Sequence, residues 1–265
     1  MLGNYLLLIA TAAAAGVINS VAGGGTLLTF PALFAVLGAS PHAQLAATAG
    51  VIANATSTVA LVPGAAASMW GYRRELAAVS RWAWLLLPPS FVGGLIGSLF
   101  VVLWPDKFDA LIPWLILTAA LLFALQPAIT RWTGVGRPHA DPTARTKLAV
   151  VALQFVIAIY GGYFGAGIGI LMLTGLALMG LDDIHAMNGL KTLLNFAING
   201  VSVAVFIKAG LVHWPLAAMM AAAAIVGGYG GAHVARRLNR NLVRRGVVAI
   251  GFALAAWYFY QQLSG

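Results

Sequence analysis

Long apolar runs follow one another along the whole chain and are separated by short polar connections. We predict ten apolar segments, which cover residues 5–22, 26–38, 42–62, 82–104, 108–128, 148–165, 169–181, 186–207, 212–235 and 242–260. A helix needs about 20 residues to cross a hydrocarbon core of about 30 Å. Segments 26–38 and 169–181 are too short for this, whereas the other segments have about the required length. The pattern therefore predicts an all-α integral membrane protein.

Composition and charge agree with a membrane protein and exclude several functions. Only 8% of the 265 residues are charged and 61% are hydrophobic, whereas soluble domains are about 25% charged. The chain has no Cys, which excludes disulfides, thiolate metal sites and cysteine nucleophiles. The net charge of +9 comes from short connections between apolar runs, which is typical of loops that face anionic headgroups. We therefore expect the bilayer, and not nucleic acid, as a partner, and leave the oligomeric state open.

Sequence patterns of the first half recur in the second half. They recur in the same order: AGGG at 22–25 and AGIG at 166–169, His42 and His185, and GGxxG at 93–97 and 227–231. Such a repeat is typical of secondary transporters. We predict one transporter domain over residues 1–265, divided into a first repeat at about 1–130, a cytoplasmic linker at about 131–146 and a second repeat at about 147–265.

The basic residues of the connections indicate how the two repeats are oriented. If each glycine cluster only kinks a helix, eight basic residues lie on one face and six on the other. If each cluster reverses the chain, twelve share one face and only Lys107 and Lys208 lie opposite. The positive-inside rule favours the second arrangement. We therefore predict two inverted repeats, each a glycine-broken or re-entrant helix pair followed by three transmembrane helices. Both termini are then periplasmic, and re-entrant hairpins and full crossings remain alternatives.

A polar stripe interrupts the apolar segment 186–207. Helical spacing places its members on one face: Asn188, Lys191, Asn195, Asn199 and Ser202. Lys191 is the one Lys or Arg that does not fall in or beside a predicted loop. A charge at bilayer depth costs at least about 2.5–3.5 kcal/mol, so Lys191 is expected to face a polar interior. The alternatives are that Lys191 snorkels to the interface and that the amides only bond neighbouring helices.

The glycine clusters and this stripe together predict an anion site. A glycine break at membrane depth must line a cavity or be buried in protein, and the helix that follows it begins with free N–H groups and a positive dipole end. We predict that these features bind an anion closer to the second repeat. The candidate substrate-binding residues are Gly23, Gly24, Gly25, Thr26, Thr48 and Asn54 in the first repeat, and Gly165, Gly167, Gly169, Asn188, Lys191, Thr192, Asn195 and Asn199 in the second.

Catalysis and cation coupling find little support in the sequence. It contains no H-E-x-x-H, G-x-S-x-G or Walker A motif, so we expect no enzyme, no cofactor and no metal site. His42 and His185 stand at predicted helix starts, where helix entry is favoured over a proton relay. All six acidic residues map to predicted loops: Glu75, Asp106, Asp109, Asp141, Asp182 and Asp183. We therefore expect export driven by the membrane potential without a coupling ion.

Four stretches of the chain resemble the TauE/SafE family of membrane anion exporters. They are GVINSVAGGGTLLTFPAL (16–33), GYRREL (71–76), GLKTLLNFAINGVSVAVF (189–206) and KAGLVHWPLAAMMAAAAIVGGYGGAHVARRL (208–238). The resemblance implies a multi-pass protein that exports a small sulfur anion, such as sulfite, sulfoacetate or another organosulfonate, across a bacterial inner membrane. The chain departs from the family at 47–50, where it has ATAG in place of an Asn-Lys pair. A membrane scaffold without transport activity is the alternative function.

The charge distribution makes a testable prediction of topology. Because the chain has no Cys, Arg73→Cys, Arg240→Cys and Lys208→Cys each provide one labelling site. In intact cells a membrane-impermeant thiol reagent should label Lys208→Cys and leave the other two unlabelled until the membrane is opened. Labelling of positions 73 and 240 from opposite sides would rule out the inverted arrangement.

Overall fold

The computed structural model describes residues 2–21, 24–133, 143–179, 181, 183–234 and 240–264. Over these residues the chain forms twelve α-helices and no strand, and the prediction of an all-α fold is confirmed. The helices are α1 (Leu2–Val21), α2 (Thr26–Gly38), α3 (Ala43–Ala47), α4 (Ala49–Gly71), α5 (Arg73–Ala78), α6 (Ser80–Leu103), α7 (Pro105–Thr133), α8 (Ala144–Tyr163), α9 (Ile168–Ala177), α10 (Ile184–Lys208), α11 (Trp214–Val234) and α12 (Arg240–Ser264).

Seven helices are long and apolar enough to cross a membrane: α1, α4, α6, α7, α8, α10 and α12. The two segments predicted to be too short for a crossing are the short helices α2 and α9. The described part of α11 adds a shorter apolar stretch, Trp214–Gly227. The first half thus contains a long helix, the short α2 and three further long helices, and the second half has the same order with the 21-residue α11 between α10 and α12.

The first half also contains two short helices that the apolar pattern does not predict. Predicted segment 42–62 is divided at Thr48, which ends α3 with φ −111° and ψ 15°. Its hydroxyl donates to the carbonyl of Gln44 (2.9 Å), and this local bond competes with the continuing helix. Beyond the division, α4 runs through Pro63 to Gly71, which agrees with the tolerance of membrane helices for an interior proline.

The second glycine cluster reverses the chain. Gly161 of α8 lies against Ile168, the first residue of α9, and Gly175 lies against Val150 and Leu153 near the beginning of α8. Helix α9 therefore folds back antiparallel along α8 and does not continue it as one kinked helix. At the first cluster, Gly25 lies against Ala15 and Asn19 of α1, so α2 likewise begins beside the helix that precedes it.

Glycines allow helices of different halves to touch. A Cβ at Gly97 of α6 would overlap the carbonyl of Ile159 in α8, and one at Gly162 would overlap the carbonyl of Gly94. The corresponding pair is α11 with α1, where a Cβ at Gly227 would overlap the carbonyl of Ala13. Such close approach is the usual basis of helix association in membranes. The first helix of each half thus packs against the last helix but one of the other half.

Two hydrophobic clusters hold these helices. One joins α1, α2, α4, α7, α11 and α12 with single residues of α6, α9 and α10, and the other joins α6, α8, α9 and α10. Phe164 lies directly before the second glycine cluster but belongs to the first hydrophobic cluster, where its ring meets Phe30 edge-on at 5.1 Å. The second glycine break therefore packs against α2 of the opposite half.

Helices extend into both ends of the linker predicted at 131–146. Helix α7 continues to Thr133, and α8 begins at Ala144 with Thr143 as its N-cap, whose side chain accepts from the N–H of Thr146 (3.2 Å). Residues 134–142 lie outside the described part of the chain.

The contact between α6 and α8 can be tested by adding one methyl group. Gly97→Ala should lower stability by about 1–3 kcal/mol, because the new Cβ meets backbone that cannot move aside. The measurement is the melting temperature of the purified protein in detergent. Gly200→Ala in α10 is the control, since no neighbouring atom lies within 4 Å of its Cβ position. Equal melting temperatures for the two variants would contradict this packing.

Candidate anion-binding site

The polar stripe lies on α10, and its hydrogen bonds run along that helix. The Lys191 ammonium donates to Oδ1 of Asn188 (2.9 Å), and the Thr192 hydroxyl donates to the Asn188 carbonyl (2.8 Å). One turn further on, Nδ2 of Asn199 donates to both the carbonyl and Oδ1 of Asn195 (2.9 Å each). All five side chains are partly buried. The predicted second-half residues of α10 are thus brought together on one face.

The opposite face of α10 is apolar. It forms one wall of a cavity of about 470 Å³ between α4, α6 and α10. The wall contains Leu193, Phe196, Ala197, Gly200, Val201 and Ala204. Helical periodicity places these residues away from Lys191 and Asn195. The ammonium therefore faces the side of α10 that does not carry this apolar wall.

The beginning of α9 runs along the polar stripe. A Cβ at Gly169 would lie 3.3 Å from Cδ of Lys191, and a Cβ at Gly165 would lie 3.9 Å from Oδ1 of Asn199. Gly167 is the N-cap of α9, with a left-handed φ of 80° that favours glycine. It provides no side-chain cap for the first N–H groups of α9, which have no partner within the helix. The side chains of Lys191 and Asn199 therefore lie close to the N-terminus of α9.

Local hydrogen bonds fix the second glycine break. The N–H of Gly165 donates to the carbonyl of Tyr160 (3.2 Å). The hydroxyl of the same tyrosine donates to the carbonyl of Ala166 (2.9 Å). Together with the buried ring of Phe164, these bonds hold the N-terminus of α9 in place beside α10.

The first glycine break differs because protein groups already occupy its amides. Oδ1 of Asn19 accepts from the N–H of Gly24 (2.9 Å) and from that of Gly25 (2.8 Å). A Cβ at Gly24 would overlap the ring of Phe123. Thr26 begins α2 behind this turn, and the predicted site residue Gly23 lies outside the described residues. The two breaks are therefore chemically unequal, and the amides of the second have no comparable side-chain acceptor among the bonds described.

Polar side chains of α4 bond to neighbouring helices. Nδ2 of Asn54 donates to the carbonyl of Tyr163 in α8 (3.0 Å). Ser57 bonds Thr29 of α2 (2.6 Å), and Thr56 accepts from the N–H of His213 (3.0 Å). Such bonds between segments are the structural role that was the alternative to substrate binding for these residues. The described side-chain bonds of the second-half stripe, by contrast, run along α10.

Thr48 is separated from Lys191. Thr48 is exposed at the start of α4, whereas Gly189 at the start of α10 packs against Tyr72 and Leu76, just beyond the end of α4. At 1.5 Å per residue the 23-residue α4 is about 35 Å long. The structure therefore does not bring Thr48 together with the second-half residues.

The expectation that every acidic residue lies in a loop is wrong. Asp109 lies in the fifth position of α7 and is partly buried. Asp106 occupies the first turn of the same helix, Glu75 lies in α5, and Asp183 caps α10. Asp141 and Asp182 lie outside the described residues. The sequence-based argument against a carboxylate in a span, and with it the basis for uncoupled export, does not hold.

The chemistry of the α9–α10 site suits an anion better than a metal. An ammonium and amide N–H groups donate hydrogen bonds to anionic oxygens, and a helix N-terminus adds a positive partial charge. Within the described ranges no three His, Asp or Glu side chains cluster as metal ligands would. His42 is the N-cap of α3 and His185 lies in the first turn of α10, and both are exposed.

Comparison with known proteins identifies the family of the chain. The model of the sulfite exporter TauE/SafE family matches residues 8–258, so the chain belongs to that family. It is 28% identical to a probable membrane transporter protein of Haemophilus influenzae, covering 94% of this chain and 91% of the relative. It is 27% identical to probable membrane transporter protein ORF9 of Sinorhizobium sp, covering 91% and 87% of the two chains, and 28% identical to probable membrane transporter protein YfcA of Escherichia coli K12, covering 93% and 86%. No solved structure matches. The chain is thus a multi-pass membrane protein of a transporter family.

The difference between the two breaks can be tested at Asn19. Asn19→Ala should destabilise the protein by about 1–3 kcal/mol, because two amides lose their acceptor. Its affinity for the transported anion should stay unchanged, because the proposed site is on the other break. Melting temperature and anion titration measure the two quantities, with the exposed Asn4 of α1, changed to Ala, as control. Loss of affinity at unchanged stability would place the site on the first break.

Proposed function

We propose that this protein is a secondary exporter of small sulfur-containing anions, such as sulfite, sulfoacetate or related organosulfonates, across the bacterial inner membrane. The observation that carries the proposal is the position of Lys191 beside the first turn of α9. Family membership supports export over catalysis and suggests the class of anion.

The placement of the Lys191 charge favours a bound anion over a structural role. Its ammonium donates to a neutral amide, and a neutral partner does not cancel a charge that is costly at membrane depth. A sulfite or sulfonate group brings several oxygens that accept hydrogen bonds and a negative charge that balances the ammonium. The Asn195–Asn199 pair and the first N–H groups of α9 are placed to bind further oxygens. We assign substrate binding to Lys191, Asn188, Thr192, Asn195, Asn199, Gly165, Gly167 and Gly169.

We further propose that the two halves are inverted repeats of a single domain, with both termini in the periplasm. Matched packing supports this: α6 with α8 corresponds to α11 with α1, and each short helix lies beside the long helix that precedes it. The antiparallel passage of α10 along α4 also fits. In repeats of this kind, rocking of one bundle against the other exposes a central site to each side in turn.

The first test of the function is Lys191→Met. If the ammonium pairs with the anion, the variant should lose about 2–5 kcal/mol of binding, which is more than tenfold in affinity. Flux of sulfite and of sulfoacetate from proteoliposomes measures transport, and size-exclusion chromatography verifies folding. Lys208→Met is the matched control, because Lys208 is the exposed last residue of the same helix. Unchanged flux and affinity in Lys191→Met would show a structural lysine, and absence of flux in the unmodified protein would favour a scaffold.

A further inference from the structure

A carboxylate, Asp109, projects into a cavity on the far side of the protein from Lys191. The cavity has a volume of about 240 Å³ and is lined by residues of α2, α7 and α12: Phe34, Asp109, Ile112, Pro113, Tyr258, Gln261 and Gln262. Gln262 is exposed, so the cavity reaches the surface at the C-terminal end of α12. The sequence pattern assigned no function to this region.

The Asp109 carboxylate packs against a glycine, and one of its oxygens has no hydrogen-bond partner among the described residues. A Cβ at Gly50 of α4 would overlap Oδ1 of Asp109, so a larger residue at position 50 would displace the carboxylate. That oxygen is inaccessible and accepts no hydrogen bond from the described residues. A buried carboxylate oxygen without a partner is unfavourable unless a proton or a cation neutralises it.

Among the described residues, those that line the cavity beside Asp109 provide oxygen atoms and no positive charge. Tyr258 of α12 lines the cavity, and Tyr163 of α8 lies close enough to interact electrostatically with the carboxylate. On α7 itself, Asp106 adds negative charge, and the exposed Lys107 places its ammonium 5.8 Å from the ring centre of Trp104. Helices α2 and α4 contribute Phe34 and Gly50, which do not ionise. Carboxylate, phenol and amide oxygens are the ligands that a hard cation prefers.

We propose that Asp109 and its cavity bind a small monovalent cation, a proton or Na⁺, whose movement into the cell drives export of the anion. The cation site stands on its own geometry, whereas its coupling to export rests on the proposed function. At neutral pH the site either takes up a proton on the carboxylate or holds Na⁺ between the carboxylate and neighbouring oxygens. In both cases one positive charge neutralises Asp109.

A short chain of contacts connects this cation site to the anion site. Tyr163 is the last residue of α8, and its carbonyl accepts from Asn54 of α4. Two residues later, Gly165 faces Asn199 on the polar stripe. Neutralising Asp109 therefore changes the electrostatic surroundings of a segment that continues directly into the second glycine break. Such a connection is where coupling between two sites is expected to act.

Cation binding is tested first, without any transported anion. The melting temperature of the purified protein is measured at constant ionic strength with Na⁺ or N-methylglucamine as the cation, and in a pH series with N-methylglucamine alone. The unmodified protein should respond to Na⁺ or to pH, and Asp109→Asn should lose that response. Asp106→Asn is the matched control, because Asp106 lies three positions earlier on the same helix and is exposed. A response to Na⁺ identifies Na⁺ as the ligand, and a response to pH alone identifies the proton. No response in the unmodified protein, or an equal response in Asp109→Asn, overturns the proposal.

Coupling is tested by flux in proteoliposomes with the membrane potential clamped to zero. At one-to-one exchange, an opposed tenfold cation gradient sustains an anion gradient of up to about tenfold. Asp109→Asn should abolish this uphill movement while anion-for-anion exchange continues. Uphill movement in Asp109→Asn, or in the absence of any cation gradient, overturns the coupling.

A second variant tests the same cation site if Asp109→Asn does not fold. Tyr258→Phe keeps the ring that packs on Phe34 at 5.3 Å and removes only the hydroxyl. It should weaken the response to Na⁺ severalfold if Na⁺ is the ligand and shift the pH response if the proton is. Absence of anion flux in every variant, with the cation response intact, would reject the export function and leave the cation site standing.

Discussion

Polar groups at bilayer depth must find their partners inside the protein, and this requirement governs the fold. Two glycine-rich turns interrupt helices within an otherwise apolar chain, and each turn exposes amides that lipid cannot satisfy. The protein meets the requirement differently in its two halves. Asn19 binds the amides of the first turn, whereas tyrosine bonds and a buried Phe164 hold the second turn beside Lys191. The amides of the first turn are thus bound by a side chain, and those of the second have no comparable side-chain acceptor among the described bonds.

This inequality is the reason for proposing the anion site at the second turn alone. In the proposed repeat the position that corresponds to Lys191 is Thr48, at a break between two helices, so a second cationic site of the same kind is not expected. The first half instead contributes Asp109 to the interior, enclosed by Gly50. The two halves thus share a framework and differ in charge, with a cation near one face and an anion near the other.

Much of this arrangement follows from the sequence. Apolar length and the glycine clusters predict the long and the short helices, and helical spacing predicts that Asn188, Lys191, Asn195 and Asn199 share a face. Apolar length carries no signal for the helix break at Thr48. The contact of Gly50 with Asp109 joins distant parts of the chain, so no local pattern predicts it. Asp109 stands beside Asp106 and Lys107 in the sequence and therefore resembles a loop residue.

The exchange of helices between the halves has a consequence for biogenesis. Helix α1 leaves the ribosome before the other described helices, and its close-packing partner α11 begins only at Trp214. The small-residue face of α1 must therefore stay in contact with lipid or an insertion factor until α11 is made. Contacts between such distant segments form late. The amino-terminal half therefore has no complete bundle of its own, and a nascent chain that stops before α11 presents an unfinished surface that quality-control proteases can recognise.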